Sequence, residues 1–107
     1  MFDDFSLHDA VLIAVNFGWS DGSCTLTVIH SELSECALEF TDVSSLIVPR
    51  TLPWGPSASI NMMTQRDDGE IEIEMQSGDP IVIRATALRL TSNNSVLNSS
   101  ELTRYGR

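Results

Sequence analysis

Three short segments of the chain carry side chains of the types that act as acids, bases and nucleophiles. They are residues 6–9, 53–57 and 76–79. A histidine can serve as a base, a serine as a nucleophile, and an aspartate as the group that orients the base. His8, Ser57 and either Asp9 or Asp79 therefore supply the residue types of a hydrolytic triad.

The sequence around these residues favours binding over catalysis. Ser57 does not stand in the G-x-S-x-G pattern that places a nucleophile on a sharp turn between strand and helix. A histidine and an aspartate just before a strand usually form a hydrogen-bonded turn. We therefore predict no catalytic residues and name six candidate binding residues: His8, Asp9, Trp54, Ser57, Gln76 and Asp79. The alternative is a small-molecule binder or enzyme with a loop site of His8, Trp54 and Ser57.

The histidines and cysteines do not have the spacing of a metal site. His8, Cys24, His30 and Cys36 include no closely spaced ligand pair of the zinc type. Residues 67–70 are acidic, like a calcium loop, but lack the ligand spacing of such a loop. We predict no metal and no cofactor.

The two tryptophans are either core residues or recognition groups. Trp54 lies in a Pro-Trp-Gly-Pro segment, and Trp19 lies just before an Asp-Gly dipeptide. Large aromatic side chains dominate the cores of small domains, so we expect both to be buried. An aromatic side chain exposed in a rigid loop would instead suit the binding of a partner, because little entropy is lost.

Alternation of apolar and polar residues predicts that antiparallel hairpins position these segments. Residues 11–17 alternate and are followed by Asp21-Gly22, which favours a two-residue hairpin turn. Residues 36–40 form the next strand. The predicted register pairs Trp19 with Cys24, Phe17 with Leu26, Leu38 with Val28 and Phe40 with Leu26.

A second group of hairpins is predicted around Asp68-Gly69 and residues 77–79. Residues 70–75 alternate glutamate with an apolar residue, as a half-buried strand does. Residues 42–48 are expected to form a short turn and then a strand that ends before Pro49. The predicted pairs are Met62 with Met75, Thr64 with Ile73, Met63 with Glu74 and Glu72 with Arg84.

Together these elements predict a mainly β fold. We expect an antiparallel, hairpin-built β-sandwich or partly open barrel of about six or seven strands, with at most one or two short helices. The single β domain spans residues 1–91. The polar residues 92–107 are expected to be a loosely attached C-terminal extension.

The strongly negative charge limits the partners that the chain can bind. The chain has 15 acidic and 6 basic residues, a net charge of −9, and every basic residue is an arginine. Such a surface repels phosphate backbones and anionic membranes, so we predict no nucleic acid and no membrane partner. It favours a basic protein partner. A homodimer formed through edge strands is the other expectation.

The start of the chain and its cysteines indicate a cytoplasmic protein. Residues 1–4 are Met-Phe-Asp-Asp, acidic where a signal peptide would be basic. No apolar run approaches the roughly 20 residues needed to cross a bilayer. Cys24 and Cys36 are too few for a disulfide framework and are kept apart by the predicted register, so we expect free thiols.

Three motifs resemble sequences found in a group of small uncharacterised bacterial proteins. They are SLHDA at residues 6–10, WGPSASIN at residues 54–61 and EMQSGD at residues 74–79. The chain is also similar in type to immunity proteins that neutralise toxins, which are short, acidic, β-rich and cytosolic. This second resemblance implies an immunity-like, protein-binding module that acts by surface complementarity to its partner.

Overall fold

The structure, a computed structural model, describes residues 7–51, 58–66, 68–92 and 95–102. Within these ranges, nine strands form two antiparallel sheets, and helix is not found. The strands are β1 (Val11–Gly18), β2 (Ser23–His30), β3 (Ser34–Thr41), β4 (Ser45–Ile47), β5 (Ile60–Gln65), β6 (Glu70–Met75), β7 (Pro80–Arg84), β8 (Ala87–Ser92) and β9 (Ser95–Glu101).

The two sheets confirm the predicted mainly β, sandwich-like fold. One sheet has the order β1-β2-β3-β8-β9, and the other has the order β4-β7-β6-β5. Within the described residues the two sheets do not close into a barrel, and their arrangement is sandwich-like. The described residues form nine strands, two more than the upper expectation of seven: β9 lies in the segment predicted as an extension, and residues 80–92 form two strands, β7 and β8, in different sheets instead of one continuous strand.

Rows of apolar side chains from most strands of both sheets form the core between the sheets. Leu26 and Leu38 of the first sheet and Ile71, Ile73 and Ile83 of the second are fully buried. Each such side chain contributes about 1.5–3 kcal/mol to folding. Because successive residues point to opposite faces, this row also sets which residues face solvent.

The β1–β2 hairpin forms where predicted, but its loop has four residues instead of two. The backbone N–H of Gly22 donates to the Gly18 carbonyl, and Gly18 lies opposite Ser23. Asp21 accepts hydrogen bonds from the Ser23 backbone and hydroxyl at 3.1 and 2.9 Å, which fixes the longer turn. The register is therefore shifted by two residues, and Trp19 leaves the strand.

The same two-residue shift occurs in two other hairpins. Cys24 lies opposite Phe40, and Leu26 lies opposite Leu38. In the β6–β7 hairpin, Arg84 lies opposite Glu70 and not Glu72 as predicted. A shift of two residues keeps the same side chains facing inward, so the inward rows of these hairpins are as predicted. The start of β1 differs: a register shift between Leu12 and Ala14 buries Leu12, whereas Ile13, which was predicted to face inward, is 58% exposed.

The β5–β6 hairpin differs by one residue, and this turns β5 over. Met63 lies opposite Ile73 and packs against the core, whereas Met62 lies opposite Glu74 and is 50% exposed. The prediction placed Met62 on the core face and Met63 on the solvent face. The turn is longer than Asp68-Gly69 because Arg66 N–H donates to the Glu70 carbonyl.

Residues 95–101 are part of the first sheet. β9 pairs antiparallel with β8, and Leu102, just beyond it, is 5% exposed. The prediction that this part of the chain is loosely attached is therefore wrong for residues 95–102. A membrane-spanning helix is not found in the part of the chain that the structure describes.

Both cysteines are free, and their burial predicts unreactive thiols. Removal from water disfavours the thiolate and raises the pKa of Cys24 to about 11, and it also raises the pKa of Cys36. At pH 8 we expect a thiol reagent such as Ellman's reagent to label the folded protein at least about 100-fold more slowly than the protein unfolded in urea. Rapid labelling of either thiol in the folded protein would contradict this burial.

Candidate functional site

The segment before β1 joins the two sheets at one corner of the sandwich. Asp9 N–H donates to the Ile60 carbonyl, and Ile60 N–H donates to the Ala10 carbonyl, both at 2.8 Å. Leu12 N–H donates in the same way to the Ala58 carbonyl. The start of β1 in one sheet is therefore bonded to the start of β5 in the other.

Three polar side chains, those of His8, Asp9 and Gln76, meet the backbone carbonyls of Ile60 and Asn61 at this corner, which we call the His8 corner. Gln76 Nε2 donates to Asp9 Oδ1 at 2.6 Å and lies 3.3 Å from the Ile60 carbonyl oxygen. His8 Nδ1 donates to the Asn61 carbonyl at 2.9 Å. The structure thus brings together three of the predicted site residues from distant parts of the chain.

The contacts of the His8 corner are those of a structural junction. With Nδ1 donating to a carbonyl, neutral His8 presents its Nε2 lone pair towards Asp9 Oδ2, 3.6 Å away. Both side chains are more than half exposed, so this contact contributes less than about 1 kcal/mol. His8 and Gln76 each contact a backbone carbonyl, and the shortest contact of Gln76 is with the Asp9 carboxylate. A binding role for these residues stays a prediction.

Asp79 belongs to the same turn as Gln76 but is buried. It is 3% exposed, and its Oδ1 accepts a hydrogen bond from the Thr51 hydroxyl at 2.8 Å. Its backbone carbonyl also accepts from Met75 N–H, which closes the turn. The other two predicted site residues, Trp54 and Ser57, lie outside the described residues.

A second site lies where β1 ends, and the sequence prediction missed it. Trp19 was expected in the apolar face opposite Cys24, but it lies in the β1–β2 loop and is 88% exposed. Its ring stands edge-on to Phe17, with ring centroids 6.2 Å apart and planes at 81°. Phe17, opposite Cys24, is the last inward-facing residue of β1, and it is 39% exposed.

These two rings form one wall of an open cavity of about 410 Å³, the Trp19 cavity. Gly22 and residues 43–46 complete the lining. These two segments are joined by a hydrogen bond from Val43 N–H to the Gly22 carbonyl at 2.7 Å. Gly22 has a φ of 66°, and a Cβ there would lie 3.4 Å from the Val43 nitrogen, so glycine suits this close approach.

The charge around the Trp19 cavity is negative. Asp21 follows Trp19 in the loop, and hydrogen bonds from Ser23 lower the pKa of its carboxyl, which keeps it ionised. Asp42 precedes Val43 of the cavity wall. Both acids therefore lie in the two loops that build the cavity.

The outer face of the second sheet is less acidic than its sequence suggests. The guanidinium of Arg84 contacts Glu70 at 2.9 Å and Asp68 at 3.3 Å. Arg66 contacts Glu72 in the same way. These cross-strand pairs neutralise much of the glutamate row on β6, so this face is a weaker attractant for a basic partner than the sequence indicates.

The described residues do not group three His, Cys, Asp or Glu side chains as a metal site would. The comparisons with known proteins give no relative from which a role could be transferred: no protein-family model, curated protein or solved structure matches the chain. The resemblance to small bacterial proteins stays a prediction. Its three motifs do contribute neighbouring residues to the His8 corner, through Asp9, Asn61 and Gln76.

We predict that the buried Asp79 stabilises the fold. Asp79→Ala removes the acceptor of the Thr51 hydroxyl and should lower the free energy of unfolding by about 1–3 kcal/mol. Glu32→Ala, at an exposed loop acid, should change it by less than about 0.5 kcal/mol. Urea unfolding followed by circular dichroism measures both, and equal midpoints for the two variants would refute the structural role of Asp79.

Proposed function

We propose that the chain is a protein-binding module that recognises a basic partner protein at the Trp19 cavity. The observation that carries the proposal is the exposure of Trp19, which is 88%, beside a cavity. A solvated indole contributes little to the fold, whereas its burial by a partner releases a large apolar surface from water.

The loop presents Trp19 in a way that suits recognition. The Gly22–Gly18 hydrogen bond and the Asp21–Ser23 contacts hold the loop backbone, and the T-shaped contact with Phe17 supports the indole. A side chain that is already ordered loses little entropy when a partner covers it. Tryptophan is also among the residues that most often dominate binding energy at interfaces.

The negative charge of the chain favours a basic partner protein. The chain carries a net charge of −9, and Asp21 and Asp42 lie in the loops of the cavity. A basic surface is therefore attracted over long range and gains short-range contacts at the cavity. A cytoplasmic, immunity-like role is part of the proposal: the module neutralises a basic toxin by covering its surface. The acidity and small β fold of the chain support this role, as does its resemblance in type to immunity proteins.

The proposal predicts that partner binding depends on Trp19 and on salt. The partner is first captured from native cells with the wild-type protein, and its affinity is then measured by titration. Trp19→Ala should weaken binding at least about 30-fold, which is the loss expected when a hot spot of about 2 kcal/mol is removed. Ile29→Ala, at a 40% exposed position away from the cavity, is the matched control and should bind normally. Raising the salt from about 0.05 M to about 0.5 M should weaken the wild-type complex. A partner held equally by both variants, or insensitive to salt, contradicts the proposal.

Self-association is a second candidate function, and strand β9 favours it. The start of edge strand β1 is covered by Ala58 and Ser59, and β4 has only three residues. β9 has seven residues, without lysine, arginine or proline to block pairing. Val96 is 56% exposed there, and beyond a bulge residues 98–101 form a regular ladder with β8. A second copy can add its own β9 antiparallel to this edge.

If the chain forms this dimer, one positive charge introduced on edge strand β9 should prevent it. Val96→Lys should give a monomer, because a lysine on an edge strand opposes pairing. Met62→Lys, which is similarly exposed on edge strand β5, should leave the dimer intact. Light scattering of the three proteins over a range of concentrations decides this, and a monomeric wild type would eliminate the dimer.

A further inference from the structure

We infer that the Trp19 cavity takes the guanidinium group of an arginine side chain on the partner. This inference rests on the function proposed above and adds the chemistry of the group that the cavity recognises.

The cavity has the size for one side chain. Its volume of about 410 Å³ is near the lower end of the range for small-molecule sites, which is about 300–1,000 Å³. It is also open to solvent on the side of Trp19. A long side chain from a partner can therefore enter it while the partner backbone stays outside.

The cavity walls offer the two kinds of surface that bind a guanidinium. Trp19 and Phe17 give aromatic surface, and a cation over the face of a tryptophan gains about 0.5–2 kcal/mol. The residues that line the cavity also include Ser44 and Ser45. Their hydroxyl oxygens can accept hydrogen bonds from guanidinium N–H groups, which are donors only.

The charge around the cavity also suits a cation. Ser44 N–H donates to the Arg84 carbonyl, which ties the cavity wall to β7. The guanidinium of Arg84 is itself compensated by Asp68 and Glu70. Its charge therefore does not cancel the field of Asp21 and Asp42, and an arriving cation is attracted.

Arginine fits this cavity better than lysine does. The planar guanidinium stacks on aromatic faces and is less strongly hydrated than an ammonium group, so it loses less when it leaves water. It also presents several N–H groups at once, which can donate to the hydroxyl oxygens of Ser44 and Ser45 together. A lysine ammonium is a compact, strongly hydrated charge and gains less from an indole face.

The test uses three five-residue peptides that differ only at the central residue: arginine, lysine or citrulline. Citrulline has nearly the shape of arginine but no charge. Binding is followed by NMR through the indole N–H signal of Trp19, which is assigned from a Trp19→Phe variant. The arginine peptide should give a saturable shift with a Kd on the order of 1 mM. The citrulline peptide should bind at least about tenfold more weakly, which corresponds to about 1.4 kcal/mol.

Two variants show whether the cavity is the site. Asp21→Asn should weaken binding of the arginine peptide a few-fold, and Trp19→Ala should abolish the shifts of neighbouring backbone signals. Ile29→Ala should bind as the wild type does. Equal binding of the arginine and citrulline peptides overturns the inference, as does the absence of a saturable shift. If the peptide result fails while Trp19→Ala still releases the native partner, only this inference falls and the proposed function stands.

Discussion

Successive residues of a strand point to opposite faces, and the whole structure depends on this geometry. Each strand can turn only every second side chain towards the other sheet, and the buried rows, with Leu26 and Leu38 facing Ile71 and Ile73, form one continuous core. A hairpin can slip by two residues and keep that row inside, but a slip of one residue turns it outward. Turn lengths are therefore free to vary only in ways that this core allows.

The proposed recognition site follows from the way in which β1 ends. Phe17 occupies the last inward position, and the four-residue loop that follows carries Trp19 beyond the core. Asp21 and Gly22 close this loop, and Gly22 also receives the hydrogen bond that brings residues 43–46 alongside. The same few bonds thus end a strand, expose an indole, form a cavity and place a carboxylate in its loop. At the His8 corner, by contrast, the polar side chains satisfy one another and nearby carbonyls, which strengthens a junction between the sheets.

The sequence predicts the fold class and most strands because alternation is a local signal. It does not predict turn lengths, because an Asp-Gly pair suits both a two-residue turn and the end of a four-residue loop. The hydrogen bonds that Ser23 donates to the Asp21 carboxylate decide between them. β9 was missed because an edge strand contributes little to the core and has a polar sequence. Of the candidate site, His8, Asp9 and Gln76 were found and do meet, whereas Trp19 was expected to be buried because aromatic size alone does not show where a strand ends.

The central claim is that Trp19 is an ordered, solvent-exposed group that a basic partner covers. Acrylamide quenching of tryptophan fluorescence in a Trp54→Phe variant reports on Trp19 alone. The account predicts efficient quenching in the free protein, as expected for a side chain that is 88% exposed, and strong protection when the partner is bound. Weak quenching in the free protein, or the same quenching with and without the partner, would contradict the account.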